Sequence, residues 1–436
     1  MHILLIQPPI EDFYSTPIRF YPLGLLYTAR VLQRLGHDVS LLDALTPPKK
    51  RQLAIPTEFE YLKEPFKNNP FLFKGYYRFG WSNEDILQRI ADVSPDLIGI
   101  SSAFTAYFES VAQLSKVIKS HYNIPIFIGG HHATVFAKEI RQRVPEIDDV
   151  LCGPAESALV HYPRVASGEN NFIDWKYLQP AHELLETNAY NIGKRNYISL
   201  IASRGCPYTC EFCSVHVMFG RHIEYRTIDS ILEEMRWNYE HHEVRIFNFE
   251  DDNLTFRRQW FQLLLQRIIN DPLLKDIELT AMNGLCYPTL DEETLHLMHQ
   301  AGFRQLNLSY VTHDQTLRRQ WNRPEQRGAL ETLVKVAQNL GMFVTVYVII
   351  GLPEQTFDEI KSTIDYLLNL GVLVGPSMFY IPPGSDLYGR LNLPNHVVQQ
   401  WNLYRSSAFA VETPQLTRDQ MIELFAYTRE QNLLRK

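Results

Sequence analysis

The chain has 436 residues, 45% hydrophobic and 21% charged, with a formal net charge of −7. That length calls for two or three domains with buried cores, and the acidic balance gives no general pull toward nucleic acid or an anionic membrane. Five cysteines with three of them clustered do not make a disulfide framework, Met1–Ile6 runs straight into Gln7-Pro8-Pro9 rather than a signal peptide, and Val344–Leu352 is too short to span a bilayer, so a cytoplasmic protein without membrane insertion is expected.

Through about residue 165, short apolar runs alternate with amphipathic segments. Ile3–Gln7 reads as a strand, Leu23–Leu35 as a helix, and Val39–Leu42, Leu97–Ser101, Ile126–Ile128 and Val150–Cys152 as further strands. Runs of this length bounded by Gly, Pro and Asp suit buried parallel strands. They predict an α/β, doubly wound, Rossmann-like (flavodoxin-like) domain over 1–165, with its ligand beyond the carboxyl ends of the strands. Pro8-Pro9, Ser101-Ser102, Gly129-Gly130 and Gly153-Pro154 fall at those ends. Between the second and third strands, Thr46–Trp81 is rich in Pro and aromatics and reads as a packed flap or interdomain wedge. A linker over 166–195 opens with Gly168-Glu169-Asn170-Asn171.

A second strand–helix series occupies 196–388. Its strands are Ile198–Ala202, Arg245–Phe249, Glu278–Ala281, Gln305–Ser309, Phe343–Ile350 and Ser377–Ile381, with helices such as Ser230–Tyr239, Thr255–Asn270 and Gln355–Leu370 between them. Each strand runs into a polar or Gly/Pro-bearing segment. Six such units describe an incomplete (β/α)6 TIM-like barrel, with its chemistry at the carboxyl face. Residues 389–436 read as a helical carboxyl-terminal segment, with a helix over Thr417–Leu434.

The first barrel strand leads into Cys206-Pro207-Tyr208-Thr209-Cys210-Glu211-Phe212-Cys213. Three thiolates so close in one loop can grip three corners of a cubic iron–sulfur cluster and leave the fourth iron open. A zinc loop completed by His216, or buried free thiols, are the competing readings. Cys286 sits at another strand end as a further ligand or, like Cys152, as a small buried residue. Glu250-Asp251-Asp252 follows the second barrel strand, where acidic groups suit a cationic ligand, and Asn253 could cap the next helix.

The CxxxCxxC spacing resembles the signature of the radical S-adenosylmethionine (SAM) enzymes. That resemblance implies a 4Fe-4S cluster on Cys206, Cys210 and Cys213, with SAM on its open iron. It implies backbone contact with adenine at Phe212, Asp251 and Asp252 on the methionine ammonium, Arg323 toward the SAM carboxylate and Gly351 beside adenine. The family's usual glutamate at the end of the fourth strand is replaced by Ser309-Tyr310-Val311-Thr312, which raises Ser309, Tyr310 and Thr312 as substitutes. Gln7-Pro8-Pro9, Tyr21-Pro22-Leu23-Gly24-Leu25, Leu41-Leu42-Asp43-Ala44, Gly99-Ile100-Ser101-Ser102 and Gly129-Gly130-His131-His132-Ala133-Thr134 together resemble a cobalamin-binding domain fused to such a barrel. The resemblance implies cobalamin contacts at Pro8, Ser101, Ser102, Phe104, Gly129 and Gly130. No Asp-x-His-x-x-Gly occurs in this half, so cobalamin would bind base-off without a histidine ligand; a domain that has lost its cofactor is the competing reading.

The layout implies radical methylation of an unactivated carbon, with radical oxidation, cyclisation or carbon–carbon coupling as the alternative, and an electron donor such as flavodoxin or ferredoxin as partner. A non-enzymatic cobalamin or light sensor would call for an attached effector segment, and none is visible. The aromatic insertion and Tyr380 suit an apolar small-molecule substrate, with Tyr310 and Tyr380 as catalytic residues.

Overall fold

The computed structural model describes residues 1–17, 21–47, 49–166, 172–186, 189–325 and 328–435. The polar linker start at 168–171 lies outside them. In the amino-terminal half, β1 (His2–Gln7), β2 (Asp38–Asp43), β3 (Leu97–Ser101), β4 (Ile126–Gly129) and β5 (Asp149–Val150) form one parallel sheet in the order β2-β1-β3-β4-β5. This is the flavodoxin-like order, whose switch point opens a crevice at the carboxyl ends of the strands. The run Ile3–Ile6 is fully buried on both faces. Ile3 and Leu5 pack with Leu25, Ala29 and Leu32 of α1 (Leu23–Arg34), whereas Leu4 and Ile6 join the core of α2 (Asn83–Val93) and α3 (Phe108–His121). The period-2 alternation of a strand makes that division.

The insertion between β2 and β3 contributes two strands, Lys50–Leu53 and Tyr76–Phe79, to a three-stranded antiparallel sheet with Ile10–Asp12. Phe13 sits edge-on to Phe59, Phe66 and Tyr76, with ring centroids 5.2, 5.2 and 4.9 Å away. The same cluster meets the carboxyl-terminal segment, Phe66 at 6.2 Å from Phe409 and Phe73 at 5.7 Å from Phe425. The insertion is therefore a wedge packed against residues some 340 positions away.

The second half carries β6 (Arg195–Leu200), β7 (Val244–Phe249) and β8 (Glu278–Thr280) in one parallel sheet and β9 (Gln305–Val311), β10 (Phe343–Ile350) and β11 (Leu373–Met378) in another. Parallel bridges Leu279–Phe303 and Leu285–Leu308 join β8 to β9, giving one open barrel of six strands. Helices α4 (Ile228–His241), α5 (Arg258–Ile269), α6 (Glu292–Ala301), α7 (Ala329–Asn339) and α8 (Phe357–Asn369) cover its outside. The last strand begins four residues earlier than expected. Gly375 and Pro376 disguise it in sequence, yet Gly375 is what lets the Tyr347 ring lie across it, since a Cβ there would come 2.3 Å from Cδ1. Helix α9 (Arg418–Leu434) then covers this edge: Asn432 Nδ2 donates to Val374 O at 2.7 Å and its Oδ1 accepts from Val374 N at 3.1 Å. A side-chain amide thus stands in for a missing strand. Among the described residues no helix is long and apolar enough to cross a membrane.

Arg405 locks the carboxyl-terminal segment onto the amino-terminal half. It is 6% exposed and donates to Glu11 O at 2.5 Å, Ala106 O at 2.6 Å and Asn402 O at 2.6 Å, with Asp12 Oδ2 3.7 Å away. Asp12 also accepts from Tyr107 at 2.7 Å and Ser407 at 2.6 Å. Arg405→Ala leaves the Asp12 carboxylate buried without its cation, so a loss of about 3–5 kcal/mol is expected in urea unfolding. A loss below about 1 kcal/mol would show that the lock contributes little.

Candidate active site

The cysteine loop leaves β6 and is closed at its stem, where Ser203-Arg204 pair antiparallel with Glu224-Tyr225. Two carboxylates from the end of β7 hold that stem. Asp251 Oδ2 accepts from Ala202 N at 3.0 Å, and its Oδ1 accepts from Ser203 N at 2.5 Å and Ser203 Oγ at 2.6 Å. Asp252 Oδ2 accepts from Gly205 N at 2.8 Å. Gly205 has φ +81°, and a Cβ there would lie 2.3 Å from His222 O, so this turn requires glycine. Burial pushes the Asp251 carboxyl up to about 7 even against its three donors.

The three thiols lie within reach of one another's charge. Burial raises Cys206, and Cys213 to about 11, so thiolates here call for compensating positive charge. Asn253 Nδ2 donates to Cys206 Sγ at 3.4 Å, and Arg323 Nη1 approaches Cys210 Sγ at 4.0 Å. Arg323 Nη2 is anchored on Ser309 O and Oγ at 2.8 and 2.9 Å. Among the described residues, no three His, Cys, Asp or Glu side chains converge as a single-ion shell, the three cysteines included. Three mutually coupled thiols with N–H donors on their sulfurs fit an iron–sulfur cluster. Cys286 is buried, its thiol pushed up to about 11 by burial, and feels the charge of Cys206 and Cys210. Cys152, expected to be buried, is exposed.

A cavity of about 670 Å³ lies between the carboxyl ends of the two sheets. Its amino-terminal wall is Gly99, Ser101, Ala103, Phe104, Gly129 and Gly130. Its barrel wall includes Glu250, Asp251, Asp252, Asn283, Gly284 and Ser309. The glycines set its shape: a Cβ on Gly130 (φ +119°) would come 2.8 Å from Ser102 O, and one on Gly99 2.4 Å from the Phe127 ring. A wall without Cβ atoms lets a flat ligand approach the backbone, and Ser102 Oγ is buried behind it without a partner among the described residues. These features fit a corrin on the amino-terminal side and SAM on the barrel side.

Of the residues expected at the site, Ser101, Phe104, Gly129, Gly130, Asp251, Asp252 and Ser309 line this cavity. Others do not. Pro8 is buried and Gln7 takes its place on the wall; Ser102 sits just behind it. Tyr310 points the opposite way from Ser309, as strand alternation requires, and its hydroxyl pairs with His313 Nδ1 at 2.8 Å under Arg318. Thr312 pairs with Glu359 on α8, outside the barrel. Tyr380 is 41% exposed beyond β11 and does not line the cavity. Gly351 turns its open face to Met421, 2.8 Å from a Cβ placed there, and its N–H to Gln355 Oε1 at 2.9 Å. Phe212 packs edge-on to Trp321 at 6.5 Å. Asn253 is no helix cap, since α5 begins at Arg258. Tyr21, Tyr27, Arg204 and Glu250 were not foreseen as lining residues. Two of them left a signal in sequence, Tyr21 as the start of the Tyr21-Pro22-Leu23-Gly24-Leu25 segment and Glu250 as the first acid of the Glu-Asp-Asp run.

Comparison with known proteins agrees with this arrangement. Residues 15–162 match the family described as B12 binding domain, and residues 200–367 match the Radical SAM superfamily. The chain is 24% identical to cytidylyl-2-hydroxyethylphosphonate methyltransferase of Streptomyces wedmorensis, over 92% of this chain and 84% of that protein. It is 23% identical to an uncharacterised methyltransferase of Pyrococcus horikoshii, over 97% and 90% of the two chains. The fold resembles that of the radical S-adenosylmethionine methyltransferase TsrM from Kitasatospora setae, solved with cobalamin and a [4Fe-4S] cluster bound, with a TM-score of 0.65 at 16% identity over 89% and 77% of the two chains.

Asp251→Ala frees the loop stem and is expected to lower cluster retention roughly 10-fold or more, read as iron per folded chain; unchanged iron would assign Asp251 to ligand binding alone. Gly130→Val is expected to abolish cobalamin retention while leaving iron content intact, and full cobalt in that variant would move the corrin elsewhere.

Proposed function

The chain belongs to the radical SAM enzymes that carry an amino-terminal B12-binding domain, and on that footing we propose that it methylates an unactivated carbon of a small molecule. The observation that supports this reading is the single cavity, bounded on one side by the glycine wall of β3 and β4 and on the other by the acids beside the cysteine loop. A cluster on the cysteine loop beside this cavity would supply an electron, SAM a 5′-deoxyadenosyl radical and a methyl group, and cobalamin a methyl carrier.

The chain's own residues orient and shield these groups. Cys206, Cys210 and Cys213 hold the cluster. Asp251 spends both oxygens on the loop stem, which leaves Asp252 and Glu250 to face the SAM ammonium. Glu250 is itself steadied by Asn248 Nδ2 at 2.5 Å. Arg323 and Ser309 act together as one polar corner beside Cys210. Ser101, Ala103 and Phe104 line the amino-terminal side of the cavity and would hold the corrin. Among the described residues no histidine lines the cavity, which supports cobalamin held without a histidine ligand. Ile201, Met218 and Phe219 on the cavity wall support an apolar substrate, and a flavodoxin- or ferredoxin-type donor would deliver the electron.

Incubation of the anaerobically loaded protein with trideuteromethyl-SAM, a strong reductant and an apolar metabolite extract tests this. The expected outcome is a trideuteromethylated product formed together with 5′-deoxyadenosine, and only when cobalamin is present. Labelled product from cobalamin-free protein, or 5′-deoxyadenosine with an unmethylated product, would contradict it.

A further inference from the structure

Asn253 closes the acidic run at the end of β7, and nothing in the fold requires an amide there. The residue is 5% exposed, it does not cap α5, and its Oδ1 is buried without a partner among the described residues. Its one directed side-chain contact is the Nδ2–H donated to Cys206 Sγ at 3.4 Å. Burying half an amide unsatisfied costs about 1–3 kcal/mol, so a site that keeps it does so for what the other half contacts. When Cys206 is a thiolate ligand it can only accept, which fixes the amide with nitrogen toward sulfur.

We propose that Asn253 is a positioning residue that sets the reduction potential of the cluster through this N–H···S bond; the inference rests on the assignment of Cys206 as a cluster ligand. One electron from a low-potential donor makes the cluster more negative. A hydrogen bond to a ligand sulfur stabilises that reduced form more than the oxidised one and raises the potential. The neighbouring acids give this weight: Asp251 and Asp252 accept from Ser203 N and Gly205 N of the same loop stem, and carboxylate charge there disfavours adding an electron. Asn253 offsets that field at the Cys206 sulfur. Arg323 approaches Cys210 at 4.0 Å, so the two side-chain donors serve different sulfurs.

The test is an EPR-monitored redox titration of the reconstituted protein without substrate, comparing the native chain with Asn253→Asp, which keeps the shape and loses the N–H, and with Asn253→Ala. At a fixed potential the ratio of reduced to oxidised cluster is expected to fall about 10-fold in Asn253→Asp, equivalent to about 59 mV for one electron, and to fall less in Asn253→Ala. Iron per chain should be unchanged in both. Equal potentials in fully loaded variants would overturn the proposal. If neither variant retains its cluster, pulsed EPR of the native reduced cluster decides, using protein labelled with 15N at asparagine side-chain amides. A 15N coupling that disappears in unlabelled protein supports the bond, and its absence overturns it. Failure of the three-cysteine assignment is distinguishable, because the native chain would then show no cluster signal at all.

Discussion

A carboxylate removed from water persists as an ion only where both oxygens are met. Glu234, 1% exposed on α4, meets that condition with partners from two separate parts of the chain. Oε1 accepts from His182 Nε2 at 2.9 Å in the linker, and Oε2 accepts from Arg226 Nη1 at 2.5 Å beside the cysteine loop. Burial alone would raise the Glu234 carboxyl; the charges and donors of Arg226 and His182 outweigh it and hold the group low. His182 extends the constraint through Nδ1 to the Tyr21 hydroxyl at 2.9 Å, and Arg226 reaches Tyr27 at 3.4 Å and Ile201 O at 3.1 Å. Tyr21 and Tyr27 line the cavity. One buried charge therefore ties the amino-terminal half, the linker and the barrel together around the space between the two sheets.

Two different chemistries meet across that space. The amino-terminal wall is backbone and small side chains, because Gly99 within β3 and Gly129-Gly130 at the end of β4 lack Cβ atoms and leave room for a broad ligand. The barrel wall is polar and acidic, and part of its acidity is already committed: Asp251 satisfies backbone donors of the loop stem before any ligand arrives. The cluster loop and the ligand pocket are thus held by consecutive residues of one strand end, and a change in one is felt in the other.

Much of this was legible in sequence where the signal was local. Short apolar runs bounded by Gly, Pro and Asp located the parallel strands, and CxxxCxxC located the cluster loop. The failures have physical causes. The last barrel strand was displaced because Gly375 and Pro376 interrupt its apolar pattern, although Pro376 sits where β11 has a neighbour on one side only within its sheet. Tyr310 was placed in the chemistry although period-2 alternation from Ser309 already turned it outward. The Glu234 network was invisible because His182, Arg226 and Tyr21 come from separate segments, and a lone buried Glu on an amphipathic helix reads as solvated surface. The three-stranded sheet of the insertion was hidden for the same reason, one of its strands being Ile10–Asp12 from far upstream.

The central claim is that one cavity joins the two redox centres, with cobalamin against the glycine wall and SAM reaching from the acids toward the cluster on the adjacent cysteine loop. The measurement that bears on it most directly is the EPR spectrum of anaerobically loaded protein, reduced until cobalt(II) and the cluster are both paramagnetic. A shared cavity predicts two signals from the same chain, each broadened or split by magnetic coupling to the other. Two unbroadened, independent signals, or a cluster signal from a chain that takes up no cobalt, would contradict it.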